Sequence, residues 1–224
     1  MKERSTKAEL MDLGPAYYTL DEYEDCLKQL DRVGRFLGGD KTTMKAFDKL
    51  KVRPKSILDV GCGGGSFTAR LAQKYPDAKV VGLEISEQAI AFAKRGEQPS
   101  NLEFCLSDRP EFNYPDNSFD VVTASLVCHH LSDRELVDFL QRANKVARQA
   151  VIINDLHRHP IALFGFALLS PLFFYNRLVM QDGLLSIRKG FTRSDWTYLL
   201  KEAGISNFSI TWHWPFRWIV RIEK

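Results

Sequence analysis

The chain has 224 residues, 45% of them hydrophobic and 26% charged, which is ordinary for a globular protein and excludes a disordered, collagen-like or coiled-coil chain. The 31 basic and 28 acidic side chains leave a formal net charge of +3, too small to indicate nucleic acid as the default partner. The aromatic residues are unevenly distributed, because half of the 15 Phe, 7 Tyr and 4 Trp residues, including every Trp, lie between Ile161 and Lys224.

Cysteine spacing and the N-terminal residues predict a protein of a reducing compartment. The four cysteines are widely spaced without a CxxC pair, which argues against a disulfide framework and a structural zinc site. Residues 1–10 are charged and lack the apolar run of a secretory signal. We therefore expect a cytoplasmic location.

Residues 160–175 form the one segment of the sequence that resembles a membrane contact. These sixteen residues carry no charge, but a spanning helix needs ~20 apolar residues, and Pro171 interrupts the run. We expect a buried or interfacial segment, and peripheral association with a membrane or lipid stays open.

The first fifty residues are predicted to be helical. Apolar residues recur at intervals of three and four over residues 20–33, the spacing of one helix face, and the pattern stops at Gly38 and Gly39. A shorter amphipathic piece follows at residues 44–50. We expect a helical cap over residues 1–52.

From residue 53 onward, strands alternate with helices. Ser86 is predicted to cap one helix, and Ser132 with Glu135 forms an S-x-x-E capping box before another. This alternation predicts an α/β fold with a mostly parallel sheet covered on both faces, where ligands bind at the carboxyl ends of the strands. Short apolar runs predict five strands, at residues 56–60, 79–83, 102–106, 119–127 and 150–153.

Beyond residue 155 the alternation breaks. The apolar segment comes first, and a helix capped by Thr192 or Ser194 follows. Two strand-like runs separated by Pro215 end the sequence.

A glycine-rich turn follows the first strand, with the sequence Asp59-Val60-Gly61-Cys62-Gly63-Gly64-Gly65. Glycines here let the backbone turn tightly and approach a ligand closely. The G-x-G-x-x-G pattern of dinucleotide sites fails at Ser66, which argues against a nicotinamide-dependent oxidoreductase. The turn matches [DE]-x-G-x-G-x-G instead, and an acid, Glu84, ends the second strand.

With ILDVGCGGG and GLEIS in this order, the chain resembles the class I S-adenosylmethionine-dependent methyltransferases over about residues 57–155. The resemblance implies a Rossmann-like, doubly wound, seven-stranded sheet, mostly parallel with the last strand antiparallel. It also implies a methyltransferase domain over residues 53–224, with a hydrophobic helical insertion at about residues 156–191 after the fifth strand. The implied cofactor is S-adenosyl-L-methionine.

The chemistry of this cofactor gives the matched residues their expected roles. The Glu84 carboxylate would accept the two ribose hydroxyls, and the glycine turn with Asp59 would hold the charged amino-acid end. Asp108 would read the adenine amino group, and Arg35 of the helical cap would face the cofactor carboxylate. The residues expected to bind the cofactor are Asp59, Gly61, Cys62, Gly63, Gly65, Glu84, Ile85, Asp108, Ser125, Leu126 and Arg35.

Four of the five histidines follow the fourth and fifth strands, where the acceptor is expected. A hydroxyl acceptor benefits from a base of near-neutral pKa, so His157, with Asp155 as its orienting partner, and His130 are the candidates for catalysis. We expect no metal, because the adjacent His129 and His130 side chains should diverge and the acids of metal-dependent relatives are not matched.

The acceptor is expected to be a small apolar or aromatic molecule. Nucleic acid is unlikely, because the chain has SLVCHH where methyltransferases of exocyclic amines carry an Asn/Asp-Pro-Pro-aromatic motif. The apolar insertion favours an aromatic or long-chain acceptor. The arrangement is similar to that of ubiquinone/menaquinone-type and polyketide-associated small-molecule methyltransferases.

Other interpretations of the sequence stay open. The aromatic residues of the insertion could simply form the core of helices that cover the sheet. A cofactor-binding regulatory or assembly protein without catalysis also fits the motif, as does, less well, the oxidoreductase. The sequence is compatible with a monomer or a homodimer.

Overall fold

The computed structural model describes Met1, residues 3–107 and residues 112–224. Within this part of the chain, one sheet contains seven strands. They are β1 (Ser56–Val60), β2 (Lys79–Glu84), β3 (Leu102–Leu106), β4 (Phe119–Ser125), β5 (Ala147–Leu156), β6 (Phe208–His213) and β7 (Arg217–Glu223).

The strand order in the sheet is β3-β2-β1-β4-β5-β7-β6. Strands β1 to β5 run parallel to one another, and β7 is antiparallel to both β5 and β6. This topology confirms the predicted doubly wound sheet with an antiparallel last strand. The strand order reverses between β1 and β4, which places a crevice for ligands at their carboxyl ends.

Three of the five predicted strands have different bounds, and the smallest difference is at β2, which extends one residue further, to Glu84. β4 ends at Ser125, because Leu126 adopts a left-handed conformation (φ 60°) and its N–H donates to the carbonyl of Asn154, 2.8 Å away. β5 is longer than predicted at both ends, since its pairing with β7 continues to Leu156.

Eight α-helices surround the sheet in the described part of the chain. Thr19 and Thr192 begin α1 and α8 with capping boxes, and the predicted caps at Ser86 and Ser132 are confirmed. The helices are α1 (Leu20–Phe36), α2 (Gly39–Phe47), α3 (Ser66–Lys74), α4 (Glu87–Ala93), α5 (Asp133–Val146), α6 (Pro160–Phe173), α7 (Arg177–Lys189) and α8 (Arg193–Glu202).

The hydrophobic core lies on both faces of the sheet. Ile57 and Leu58 are neighbours in β1, both fully buried, and they enter different clusters because successive strand side chains point to opposite faces. Phe47 of α2 belongs to the same cluster as Ile57. Helix α2 of the predicted N-terminal cap therefore packs directly on the sheet.

Helices α6 and α7 form the predicted hydrophobic insertion after β5. Most of α6 faces solvent although it is apolar: Phe164 is 77% exposed and Leu172 is 76% exposed. No helix in the described residues has the combination of length and hydropathy that a membrane crossing requires.

Candidate active site

A cavity of about 2470 Å³ opens at the carboxyl ends of β1, β2, β4 and β5. It reaches from the glycine turn after β1 to helices α6 and α7, and residues of the N-terminal segment also line it. Its volume exceeds the ~300–1,000 Å³ of an ordinary small-molecule site. The cavity therefore has room for a cofactor and a second molecule together.

The glycine turn is held against the end of β2. The N–H groups of Gly61 and Cys62 both donate to the carbonyl of Leu83, at 2.7 and 3.0 Å. Gly61 has a φ of 71°, and a Cβ there would lie 2.3 Å from Cγ2 of Val127. Gly63 has a φ of 53°, but a Cβ there would meet nothing within 4 Å. Gly61 is thus required by close packing, whereas Gly63 borders open space.

The Glu84 carboxylate connects β2 to the glycine turn. Its Oε2 accepts the N–H of Gly63 at 2.9 Å, and its Oε1 accepts the N–H groups of Ile85 and Ser86 at 2.8 and 3.1 Å. A carboxylate offers about four acceptor positions, so these three bonds leave one for a further donor. A ribose hydroxyl can take that position, and two hydroxyls would have to share the carboxylate with the backbone.

Asp59 lies beneath the turn and is 2% exposed. Its Oδ2 accepts a hydrogen bond of 2.6 Å from the hydroxyl of Thr68. Burial raises the pKa of Asp59 to about 7, the Thr68 hydrogen bond opposes this shift, and the charge of Glu84 adds to it. A cationic ligand in the cavity would favour the charged form of this acid.

The donor set at this end of the cavity fits S-adenosylmethionine, the cofactor that the resemblance implies. Glu84 supplies an acceptor for a hydroxyl, Asp59 supplies negative charge for a cation, and the open space at Gly63 lets a ligand approach the backbone. When bound, the cofactor supplies a methyl group on a sulfonium. The protein residues supply its binding and orientation.

The remaining residues expected to bind the cofactor differ in their positions. Ser125, Leu126 and Ile85 line the cavity, whereas Asp108 lies outside the described residues. Cys62 is half-buried and also lines the cavity, and burial raises the pKa of its thiol well above the usual value. The side chain of Arg35 is 58% exposed, lies 3.9 Å from Asp31 and does not line the cavity, so the structure does not place it at the cofactor end.

Asp155 is paired with His129 and not with His157, which differs from the sequence-based expectation. Its Oδ1 lies 2.7 Å from Nδ1 of His129, and its Oδ2 accepts the backbone N–H of His129 at 3.2 Å. His129 is 3% exposed and Asp155 is fully buried. The pair joins the end of β5 to the loop after β4.

The N-terminal segment brings a group of acids to the histidines that follow β4. Oδ2 of Asp12 lies 3.0 Å from Nδ1 of His130, and the Glu9 carboxylate oxygens lie 3.8 and 3.9 Å from Nε2 of His129 and His130. The Lys189 ammonium of α7 lies 3.4 Å from Glu9 and 3.5 Å from Asp12. These five residues are called the polar cluster below.

The polar cluster was not predicted. The rings of His129 and His130 lie 4.3 Å apart between centroids, so the expectation that these side chains diverge was wrong. One nitrogen from each ring and one Glu9 oxygen lie within 4.8 Å of one another, a spacing that could accommodate a metal ion. Glu9 and Asp12 precede the first helix and follow no motif, so no signal in the sequence identifies them.

The pKa of His130 follows from its neighbours. Burial opposes the charged form, but the hydrogen bond with Asp12 and the charges of Glu9 and Asp12 hold the pKa of His130 above its usual value. Because the Asp12 carboxylate accepts from Nδ1, the neutral ring carries its proton there. Its Nε2 is then the basic nitrogen.

His157 lies in an aromatic environment at the cavity wall. The indole N–H of Trp212 donates to Nδ1 of His157 at 3.1 Å, and the ring packs edge-on against Trp218 at 4.9 Å. Burial, together with the charges of His159 and Arg158, lowers the pKa of His157. Since Nδ1 accepts a hydrogen bond, the neutral ring carries its proton on Nε2.

Apolar residues form the far end of the cavity. Phe166 and Phe174 stack with ring centroids 6.2 Å apart, and a Cβ on Gly183 of α7 would lie 2.4 Å from the Phe166 ring. The aromatic side chains here face the cavity and α7, although the sequence alone could not distinguish this arrangement from a simple core. The cavity-lining residues of α6 and the following turn are Ile161, Ala162, Gly165, Phe166, Leu169, Ser170, Phe173 and Phe174.

Comparison with known protein families identifies the central part of the chain. Residues 57–150 match a family model described as a methyltransferase domain. Phosphoethanolamine N-methyltransferase 1 of Arabidopsis thaliana is 35% identical over 131 residues, which are 55% of this chain and 26% of that protein. Ajmaline N-methyltransferase of Rauvolfia serpentina is 31% identical over 118 residues, which are 50% of this chain and 40% of that protein. The chain thus matches less than half the length of these curated relatives.

Solved structures share the fold over nearly the whole chain. A SAM-dependent methyltransferase from Aquifex aeolicus has a TM-score of 0.65 at 21% identity, covering 89% of this chain and 97% of that chain. The plantazolicin methyltransferase BpumL, crystallised with SAH and a monoazolic desmethylPZN analog, has a TM-score of 0.72 at 18% identity, covering 94% of this chain and 90% of that chain. Residues 57–150 therefore match a methyltransferase domain, and nearly the whole chain shares its fold with solved S-adenosylmethionine-dependent methyltransferases.

Proposed function

We propose that the protein transfers a methyl group from S-adenosylmethionine to a hydroxyl of a lipophilic phenol or quinol. The observation that supports this is the continuity of one cavity, from Glu84 and the glycine turn at one end to the apolar wall of α6 at the other. Apolar walls with a few polar groups are typical of sites for small organic molecules.

The chain contributes position and proton removal to this reaction. Methyl transfer is an in-line displacement, so the protein must hold the acceptor oxygen in line with the sulfonium methyl and exclude water. All five residues of the polar cluster line the same cavity as the glycine turn and α6, where an acceptor hydroxyl would meet them. The proton of that hydroxyl passes to a histidine acting as a general base.

His130 is the better candidate for this base. Its basic nitrogen is Nε2, and the Asp12 carboxylate stabilises the protonated ring that would form. His157, in contrast, accepts the Trp212 hydrogen bond at Nδ1 and carries its proton on Nε2 when neutral. We assign His157 a role in shaping the acceptor wall.

The test is a matched series of acceptors with isotopically labelled S-adenosylmethionine. It compares a phenol and a quinol with long alkyl chains, the same rings without chains, and phosphoethanolamine. Burial of a CH₂ group is worth ~0.8 kcal/mol, so each buried methylene should raise kcat/KM about 4-fold. Transfer only to phosphoethanolamine or only to the short rings would contradict the proposal. Cofactor binding without transfer to any acceptor would favour the regulatory alternative.

We also propose that the outer face of α6 contacts a membrane or lipid surface, from which the acceptor enters. Phe164, Leu168 and Leu172 are all more than 60% exposed on this helix, and such apolar faces bind interfaces. Sedimentation with lipid vesicles should fall for the triple serine variant of these residues. The serine variant of Val52, which is 62% exposed elsewhere, is the control and should bind as the wild type does.

A further inference from the structure

Arg217 is a buried cation at the wall of the cavity. Arg217 is the first residue of β7 and is 4% exposed, and it pairs in register with Leu156 at the end of β5. Its guanidinium lies against α2, where a Cβ on Gly39 would be 3.1 Å from Cζ. Arg217 therefore lines the cavity at the same edge of the sheet as the glycine turn.

The guanidinium has no protein partner among the described residues. None of its N–H groups donates to a protein acceptor there, and no carboxylate oxygen lies within 4.0 Å of it. Two acids act on it only through their charge, namely Asp155 and Asp40. Asp155 is engaged by His129, and Asp40 accepts a 2.5 Å hydrogen bond from Arg70.

Another buried arginine provides the contrast. Arg158 is also 4% exposed, but its guanidinium donates to the carbonyl of Gly190 at 2.7 Å and to Asp195 at 2.9 Å. These partners compensate for the removal of its charge from water. Burial lowers the pKa of Arg217 and the charges of Asp155 and Asp40 oppose this shift, but a guanidinium stays protonated in proteins, so a buried cation is left without a hydrogen-bonded partner among the described residues.

We infer that Arg217 binds the carboxylate of a ligand in the cavity. The planar guanidinium presents two parallel N–H groups that match the two oxygens of a carboxylate. The carboxylate has two possible sources, the amino-acid end of the cofactor and an acidic group on the acceptor ring. The acceptor source rests on the proposed function, whereas the cofactor source does not.

The experiment measures ligand binding by calorimetry in the wild type, Arg217→Met and Arg217→Lys. The first pair of ligands is S-adenosylhomocysteine and its decarboxylated analogue. The second pair, added to the protein saturated with S-adenosylhomocysteine, is a long-chain hydroxybenzoate and the corresponding phenol. We expect Arg217→Met to weaken the carboxylate member of one pair by about 10- to 100-fold and to leave its partner unchanged. Arg217→Lys should give an intermediate loss of affinity, because lysine keeps the positive charge but lacks the two parallel N–H groups of the guanidinium.

Each outcome is decisive. Loss confined to S-adenosylhomocysteine identifies the cofactor carboxylate, and loss confined to the hydroxybenzoate identifies the acceptor. Unchanged binding of both carboxylates by Arg217→Met overturns the inference, as does an equal loss for both members of a pair.

Urea unfolding separates binding from a structural role. Arg217→Met should be at least as stable as the wild type, because a buried charge without a partner is removed. Arg158→Met should be less stable than the wild type, because the carbonyl of Gly190 and the carboxylate of Asp195 lose the guanidinium that donates to them. Failure of Arg217→Met to fold would assign Arg217 a structural role and overturn the inference.

Discussion

The carboxylate of Asp155 lies 2.7 Å from Nδ1 of His129, and it also accepts the backbone N–H groups of His129 and Leu156. Burial favours the neutral acid, but the charge and hydrogen bond of His129 hold the pKa of Asp155 below its usual value. The pair therefore connects the end of β5 to the loop after β4, and it holds in place the part of the cavity wall that includes His130.

The first prediction concerns this pair. We expect Asp155→Asn to lower the free energy of unfolding by about 3 kcal/mol at pH 7, because it breaks a buried charged pair. Since the pKa of Asp155 is lowered on folding, this contribution is present above pH 3.8 and is lost as the pH falls below that value. Urea unfolding measures the change. Asp77→Asn, at an exposed position, is the control, and equal stability of the two variants would contradict the prediction.

The second prediction separates the two candidate bases. His130→Gln should lower kcat about 100-fold, because the group that accepts the proton is lost. His157→Gln should keep kcat within about 3-fold of the wild type and act mainly on KM, because its ring shapes the wall beside Trp212. Steady-state kinetics with the best acceptor of the series measures both. The reverse ranking would restore His157 as the base.

Local sequence was sufficient to predict that Asp59, the glycine turn and Glu84 lie together at one end of the cavity. Asp59, the glycine turn and Glu84 follow strands whose apolar runs are short and clear, and the sheet topology then brings them to one edge. The fold and the antiparallel last strand follow from the same alternation and resemblance. These residues end or follow β1 and β2, which are neighbours in the sheet, so a correct strand prediction is enough to bring them together.

The polar cluster depends on contacts that no local pattern encodes. Glu9 lies 3.8 Å from His129 across 120 residues of sequence. Asp155 pairs with His129, 26 residues away in sequence, and not with His157, which is two residues away. In the described part of the chain, Arg217 has no hydrogen-bonded partner because the two acids whose charge acts on it, Asp155 and Asp40, bond to His129 and Arg70 instead. These relationships arise only when the chain is folded.

The third prediction tests the glycine turn. Gly61→Ala should abolish detectable cofactor binding, because its Cβ would lie 2.3 Å from the Val127 side chain. Gly61 and Gly63 both have a positive φ, so alanine at either position costs ~1–2 kcal/mol of backbone strain. A Cβ at Gly63 meets nothing within 4 Å, so we expect Gly63→Ala to lose only a modest part of the cofactor affinity. Val127→Ala should partly rescue Gly61→Ala and should not affect Gly63→Ala. Calorimetry with S-adenosylhomocysteine checks the four variants, and equal losses for the two glycine variants would contradict this account.

The fourth prediction is a pH dependence set by Asp59. Its pKa of about 7 lies above the unfolded value of 3.8, so the group stabilises the fold at low pH and this contribution is lost as the pH rises from 3.8 to 7. A cationic ligand favours the ionised acid, so the affinity for S-adenosylmethionine should be higher at pH 8 than at pH 6. Asp59→Asn should remove this difference. The ligand-induced shift in Tm at the two pH values measures it, and an unchanged pH dependence in Asp59→Asn would refute the assignment.

The last prediction concerns metal. The polar cluster has the spacing of a metal site, but the Lys189 ammonium lies 3.4 Å from Glu9 and 3.5 Å from Asp12 and already supplies positive charge to both carboxylates. We therefore expect methyl transfer to be unchanged after dialysis against a chelator. A loss of 10-fold or more that Mg²⁺ or Zn²⁺ restores would contradict this. Lys189→Met removes the competing cation and should bind Zn²⁺ more tightly than the wild type in calorimetry, because neutral imidazole nitrogens and a carboxylate then remain as ligands.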